Sequence, residues 1–460
     1  MPAAEAVAGV LAGATGTEAV LLDARRRLLV GARADGGGAG PCAGCAGALD
    51  ALAAELGRPL PARTRVTLGS EWVADALRDG RGLTRVAVIR AGGPLTGAVP
   101  PLWTWPAALR DATSAGAVVV DGGAEYDGHH PVALDAEAVL RFLDAAAGTA
   151  EAVAVVGVFS PIAADDELAI AELVHRELGR AMPVSLGHEV GSLGLLEREN
   201  ATALNAALTG PARVLATALL AALEERGIQA DPFVTQTDGS AMVLDHAVRY
   251  PGRMLGHGSA LAMHGAAWMS GVADGVVAND DGVRTDLGVL AGGLPREAPD
   301  DVVEIAGVRT TMRRPEVLRL AGELAPGATR AGALRGALRS FGLPRDQRTV
   351  VAVGAGAQDV AAALADTEGV EVVVPTDGAV AGALGAAHAV VAGQVEVFCE
   401  RGGHAARAAV ARAERTAVER AIHAGADPAL VRVVEVEQRP LGYLVVPALR
   451  VHVRAEGPCL

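Results

Sequence analysis

The chain contains no lysine, so all 40 of its permanently cationic side chains are arginine. That absence removes several chemistries at once. Without an ε-amine there is no lysine Schiff base, no pyridoxal enzyme and no phosphate loop ending in Gly-Lys-Ser/Thr. Any grip on phosphate must come from backbone N–H groups, hydroxyls, a metal or Arg. Aromatic residues make up only 3% of the chain, which leaves few stacking platforms. A net charge of -14 without a basic cluster argues against nucleic acid as a partner, because phosphate neutralisation needs grouped cations. No apolar run reaches the ~20 residues that span a bilayer, and the N-terminus lacks a charged region leading into an apolar one. The expectation is a soluble, cytoplasmic protein with no membrane partner. Cysteine is scarce as well. Cys42 and Cys45 have redox or half-zinc spacing, but no second CxxC or HxxxH completes a tetrahedral site. A chance pairing in a small-residue loop is the preferred reading.

What remains is a core of Ala, Val and Leu, with 51% apolar residues over 460 positions, enough for two or three domains. Strand-like runs alternate with helical periodicity: Arg85 to Ile89, Gly116 to Val120 and Ala152 to Val158 against helices at Asp135 to Ala147 and Asp165 to Leu178. That alternation predicts an α/β fold with a mainly parallel sheet covered by helices. Further helices are expected at 193–208, 212–226, 259–271, 378–392 and 405–424, followed by a β-rich C-terminal end.

Two distant segments look like copies of one hairpin. GVLAGATGTEAVLLD (Gly9 to Asp23) and VVANDDGVRTDLGVL (Val276 to Leu290) align Thr17-Glu18 with Thr285-Asp286 and Gly13-Ala14 with Asp281-Gly282. A strand, a tight turn of small and hydroxyl residues and a second strand make a loop whose N–H groups can hold phosphate oxygens. One such hairpin in each half is the layout of the sugar kinase, heat-shock protein and actin superfamily of ATPases.

Longer stretches sharpen this. VAVIRAGGP (Val86 to Pro94), VDGGAEYDG (Val120 to Gly128), VGVFSP (Val156 to Pro161), VSLGHEVGSLGLLERENATALNAAL (Val184 to Leu208) and GALGAAHAVVAGQVEVF (Gly382 to Phe398) resemble the hydantoinase A and oxoprolinase family. The resemblance implies two actin-like (ribonuclease H-like) lobes around a nucleotide cleft, with a small β-rich C-terminal part. It divides the chain into an N-terminal hydantoinase/oxoprolinase-type domain at 1–185, a hydantoinase A-type core at 186–330 and a C-terminal lobe at 331–460. It implies ATP with Mg as cofactors, and ATP-dependent hydrolysis of a small cyclic amide of the hydantoin or 5-oxoproline type. It also implies an oligomer and a hydantoinase B-type or other partner subunit. The family-matched phosphate positions are Gly13, Thr15, Thr17, Gly282, Thr285 and Asp286, with the adenine-side turn surviving as Gly354-Ala355-Gly356-Ala357.

The chain departs from the family pattern Asp-x-Gly-Gly-Thr-x-Thr-Asp in both hairpins. The first Asp is Leu11 in one and Asn279 in the other, and one glycine position is Asp281. Leucine offers a hard cation no oxygen, and an aspartate beside phosphate adds repulsion. A catalytically impaired subunit supporting an intact partner is therefore the competing expectation. Glu125 and Asp127, with His129 and His130, form the densest acid and imidazole cluster. They are candidate catalytic residues, against the alternative of a polar turn set by Asp127-Gly128. Glu199 is a third catalytic candidate. His188, Arg198 and Asn200 are candidates for orienting a cyclic amide, against the alternative of an interdomain salt-bridge network. His257 reads as a turn histidine.

Overall fold

A computed structural model of the chain describes residues 5–13, 16–35, 40–298, 302–320, 329–344, 349–441 and 448–460. Its largest sheet has nine strands, in the order Arg432–Leu441, Ala448–Gly457, Val391–Glu400, Ala241–Val243, Phe233–Thr235, Thr64–Ser70, Ala6–Gly13, Gly16–Asp23 and Leu28–Asp35. The first and last parts of the chain thus share one sheet. A second sheet runs Leu294–Pro295, Thr285–Ala291, Gly275–Asp280, Thr349–Val353 and Glu371–Val373, with Val317–Leu320 also paired to Thr285–Ala291. A third sheet of four strands, Ser114–Asp121, Val86–Gly93, Ala152–Gly157 and Val184–Leu186, is parallel throughout. The nine-stranded sheet draws its strands from residues 6–70, 233–243 and 391–457.

The central strands are near-continuous apolar runs because both faces are covered. Val86 to Ala91 and Ala152 to Val156 are fully buried. The covering helices fall where the 3.6-residue pattern predicts them. Ala136–Ala146 starts at Asp135, whose carboxylate accepts the Ala138 N–H at 2.9 Å. Ala43–Leu56 stops at Gly57, which takes the left-handed conformation that glycine reaches without penalty.

The two large sheets meet through a crossing of the helices Gly258–Ser270 and Ala381–His388. The first packs on the second sheet, and the other on the strands Ala6–Gly13 and Gly16–Asp23. A Cβ at Gly265 would stand 1.9 Å from the Ala381 carbonyl oxygen, and one at Gly385 would stand 2.0 Å from that of Leu261. The helices therefore touch backbone to backbone, which is what the small-residue sequence GALGAAH makes possible. No single helix among the described residues is long and apolar enough to cross a membrane.

Candidate functional site

The two sequence-related hairpins form with the same register. In the first, Leu11 pairs with Glu18, Ala12 with Thr17 and Gly13 with Gly16. In the second, Asn279 pairs with Asp286 and Asp280 with Thr285. Four residues lie between the equivalent pairs Ala12–Thr17 and Asp280–Thr285, and the first hairpin closes one pair further, at Gly13–Gly16. Thr15, one of the candidate phosphate positions, lies outside the described residues. The hairpins face each other across the helix crossing closely enough for Asp281 to act on the carboxyl of Glu18.

In the first hairpin, Leu11 occupies the ground of the missing carboxylate. A Cβ at Gly382 would lie 2.2 Å from one Leu11 methyl, and one at Gly69 would lie 2.9 Å from the other, so the side chain is seated between two glycines. Glu18 opposite it is pushed up to about 7 by burial, with Asp281 adding to the rise against opposing Arg33 and the backbone N–H groups of Ala383 and Gly382. Its Oε2 is buried with no hydrogen-bond partner. Thr17 is buried, and a Cβ at Gly44 would meet its hydroxyl at 2.6 Å.

The second hairpin is satisfied from within. Asp280 is buried and accepts from the Gly282 N–H at 2.9 Å and the Thr285 hydroxyl at 2.5 Å, and it pairs with Arg330. The Asp281 carboxylate accepts from the N–H groups of Val283 at 2.8 Å and Arg284 at 2.9 Å. The three successive N–H groups that could cradle a phosphate are thus already bound to the loop's own aspartates. Asp286 accepts from Ser259 at 2.7 Å and from Arg319 at 2.8 and 3.0 Å. Burial pushes its carboxyl up, but Arg319 and Ser259 outweigh that and hold it below the ordinary range. The glycine turn closes on this loop. Gly354 has a φ of +86°, and the Gly356 N–H donates to the Asp280 carbonyl at 3.0 Å.

The other candidates lie elsewhere. Glu125 and Asp127 are exposed in a turn in which the Gly128 N–H donates to the Glu125 carbonyl and the His129 N–H to Asp127 Oδ1. His130 turns to Asp165 and Asp166, at 3.6 and 3.4 Å. Glu199 is buried and bound twice by Arg90, at 2.6 and 2.7 Å. Arg198 donates to the carbonyls of Ser192, Leu193 and Gly157, and burial lowers its guanidinium to about 10. Asn200 accepts from the Trp105 indole at 2.7 Å and donates to the Arg309 carbonyl at 2.9 Å. These three tie the helix Leu195–Ala207 to its neighbours. His257 is buried, with Nδ1 2.8 Å from the Met254 carbonyl. Cys42 and Cys45 are free thiols.

His188 differs, because it borders a cavity of about 460 Å³ for which the residue pattern around it gives no local sign. Its Nδ1 is 2.6 Å from Oε2 of the buried Glu167. The C-terminal strands contribute Gln394, Glu396, Glu437, Arg439, Arg450 and His452 to the same cavity, and Asp238, Tyr250 and Arg253 enter from the chain's middle. Arg454 sits between Asp238 and Glu456, at 2.6 and 2.7 Å. Burial raises the Asp238 carboxyl, yet Arg454 and Ser240 hold it well below the carboxylate range. The Tyr250 phenol is pushed up to about 12 by burial and by Glu189, to which it donates at 2.9 Å. Burial and then four arginines hold the His452 imidazole down to about 3. The period-2 run Arg450, His452, Arg454 on one strand was the signal available in the sequence.

Residues 8–178 match the family described as the hydantoinase/oxoprolinase N-terminal region. Among solved structures, the fold is similar to acetone carboxylase in a nucleotide-free structure bearing on ATP-dependent acetone carboxylation. That chain is 14% identical, the match covers 98% of this chain and 88% of that one, and the TM-score is 0.69. The fold is also similar to an ATP-dependent caprolactamase from Pseudomonas jessenii, at 16% identity, 98% and 87% coverage and a TM-score of 0.73. No curated protein matches in sequence. The architecture is that of two actin-like lobes.

Proposed function

Starting from a chain that is a divergent member of the hydantoinase/oxoprolinase family, we propose that it is a catalytically impaired, cytoplasmic subunit that supports an intact partner of hydantoinase B type. The observation that carries this is the second hairpin, whose Gly282, Val283 and Arg284 N–H groups donate to Asp280 and Asp281. A triphosphate entering there would have to displace two carboxylates and then sit beside them, an exchange of paired charges for repelled ones. The first hairpin adds to this. Magnesium takes hard oxygen ligands, and Leu11 supplies none. The cleft's residues do not fit a magnesium-bound triphosphate.

The test is a ligand-dependent thermal shift on the full chain. The natural protein is expected to show less than about 1 °C of stabilisation by millimolar Mg-ATP, since a site far from saturation stabilises little. The variant Leu11→Asp/Asn279→Asp/Asp281→Gly is expected to gain several degrees. A large shift in the unaltered chain would end this reading.

A second reading, a working ATP-dependent hydrolase of a small cyclic amide, is favoured by the cavity at His188. Its volume of about 460 Å³ lies within the range of small-molecule sites. The similarity to a caprolactamase supports the same substrate class. ADP release stimulated by hydantoin, 5-oxoproline or caprolactam would establish it over the first.

A further inference from the structure

The cavity's floor is the far end of the nine-stranded sheet, where three strands lie side by side. Glu396 on Val391–Glu400 stands opposite His452 on Ala448–Gly457, and His452 stands opposite Glu437 on Arg432–Leu441. Glu435 is two residues before Glu437, so both carboxylates project from the same face of their strand. One ligand atom from each of Glu435, Glu437 and His452 lies within 4.8 Å of the others. His452 is 4% exposed, and its Nε2 is buried without a hydrogen-bond partner. Four other histidines among the described residues also have a buried Nε2 without a partner, but His452 is the one that stands in a group of three potential ligand atoms, and His452 and Glu437 both face the cavity.

We propose that Glu435, Glu437 and His452 form a binding site for a divalent transition-metal ion, opening into the cavity. The donor set decides the class of ion. One imidazole nitrogen with two carboxylate oxygens suits Zn²⁺, Mn²⁺ or Fe²⁺, whereas magnesium favours oxygen donors and water. Three protein ligands leave a coordination position free, the mark of a site that takes water or a carbonyl oxygen rather than a closed structural site. The surrounding arginines are matched by acids of their own. Arg454 is held by Asp238 and Glu456, Arg450 by Glu396, and Arg313 by Glu297. Arg439 bonds Glu437 at 2.7 Å, but its side chain is 60% exposed and can yield that oxygen to an ion by swinging into solvent. The site shares no residue with the two hairpins, and neither depends on the other.

The experiment uses the full chain, stripped with a chelator and titrated with Co²⁺ and Zn²⁺ by calorimetry, with the visible spectrum of bound Co²⁺ as a second readout. One saturable equivalent is expected. Glu437→Gln is expected to weaken binding at least tenfold, and His452→Gln to abolish the Co²⁺ spectrum. Because His452 is buried, the double variant Glu435→Gln/Glu437→Gln provides the control. It changes an edge strand, is expected to keep its circular dichroism spectrum, and is expected to lose the ion. Absence of saturable binding, or equal affinity in the double variant, would overturn the proposal.

Discussion

Leu11 opposite Glu18 corresponds, strand for strand, to Asn279 opposite Asp286, yet the two hairpins deal with charge in opposite ways. The first has filled the vacated position with hydrocarbon and left a carboxyl that resists ionising. The second, with Asn279 at that position, carries carboxylates on either side and gives each a partner, with Arg330 for Asp280 and Arg319 for Asp286. The same turn can thus be closed with hydrocarbon or closed by its own hydrogen bonds. The two routes leave opposite marks on stability, because a buried unpaired acid opposes ionisation while a paired one demands it.

The largest expected effect comes from breaking the satisfied side. Asp280→Ala removes the acceptor for Gly282, Thr285 and Arg330 together, and is expected to cost about 3 kcal/mol in a urea unfolding experiment, mostly from the Gly282 and Thr285 donors left without an acceptor, since Arg330 can turn to solvent. Next comes the hydrocarbon-filled side. Glu18 titrates near 7 in the fold against an ordinary value of 4.5. Across that window the native state keeps a proton that the unfolded chain has released, so stability falls as pH rises. Glu18→Gln is expected to abolish the decline and to gain up to roughly 3 kcal/mol at pH 8, with little change at pH 4. A pH profile identical to that of the unaltered chain would refute the contrast. The smallest effect is the mirror image. Asp286 is held below its ordinary value, so its contribution is present at neutral pH and is lost as pH falls below about 4. Asp286→Asn is expected to cost about 1 kcal/mol at pH 7, because Arg319 is mostly solvent-exposed, and progressively less as pH falls below about 4.

Much of this was readable in the residues. The helices at 136–146, 165–177, 195–207 and 403–423 fall within a few residues of their periodic patterns, and the shared hairpin register follows from aligning Thr17-Glu18 with Thr285-Asp286. Local patterns specify local structure. The pairing of Thr64–Ser70 with Phe233–Thr235, and of Ala241–Val243 with Val391–Glu400, carries no local signature, because either partner would satisfy any apolar neighbour. The cavity follows from those distant pairings, so Asp238 and Arg454, 216 positions apart, could not be joined by inspection. Glu199 and Arg198 illustrate the converse. Their density of charge suggested chemistry, but Arg90 and three backbone carbonyls are the partners they found. The roles of Arg319 and Arg330 depend on the same long-range closure.

The contact of Gly265 with Ala381 and of Gly385 with Leu261 has a mechanical consequence. The two contacts lie one turn apart on each helix, at 261 and 265 and at 381 and 385, so peptide backbone rests on peptide backbone along a line. The separation of the two large sheets is therefore set by main chain, the least compressible spacer available. A single added methyl at either glycine would wedge the two helices, and the sheets they carry, apart.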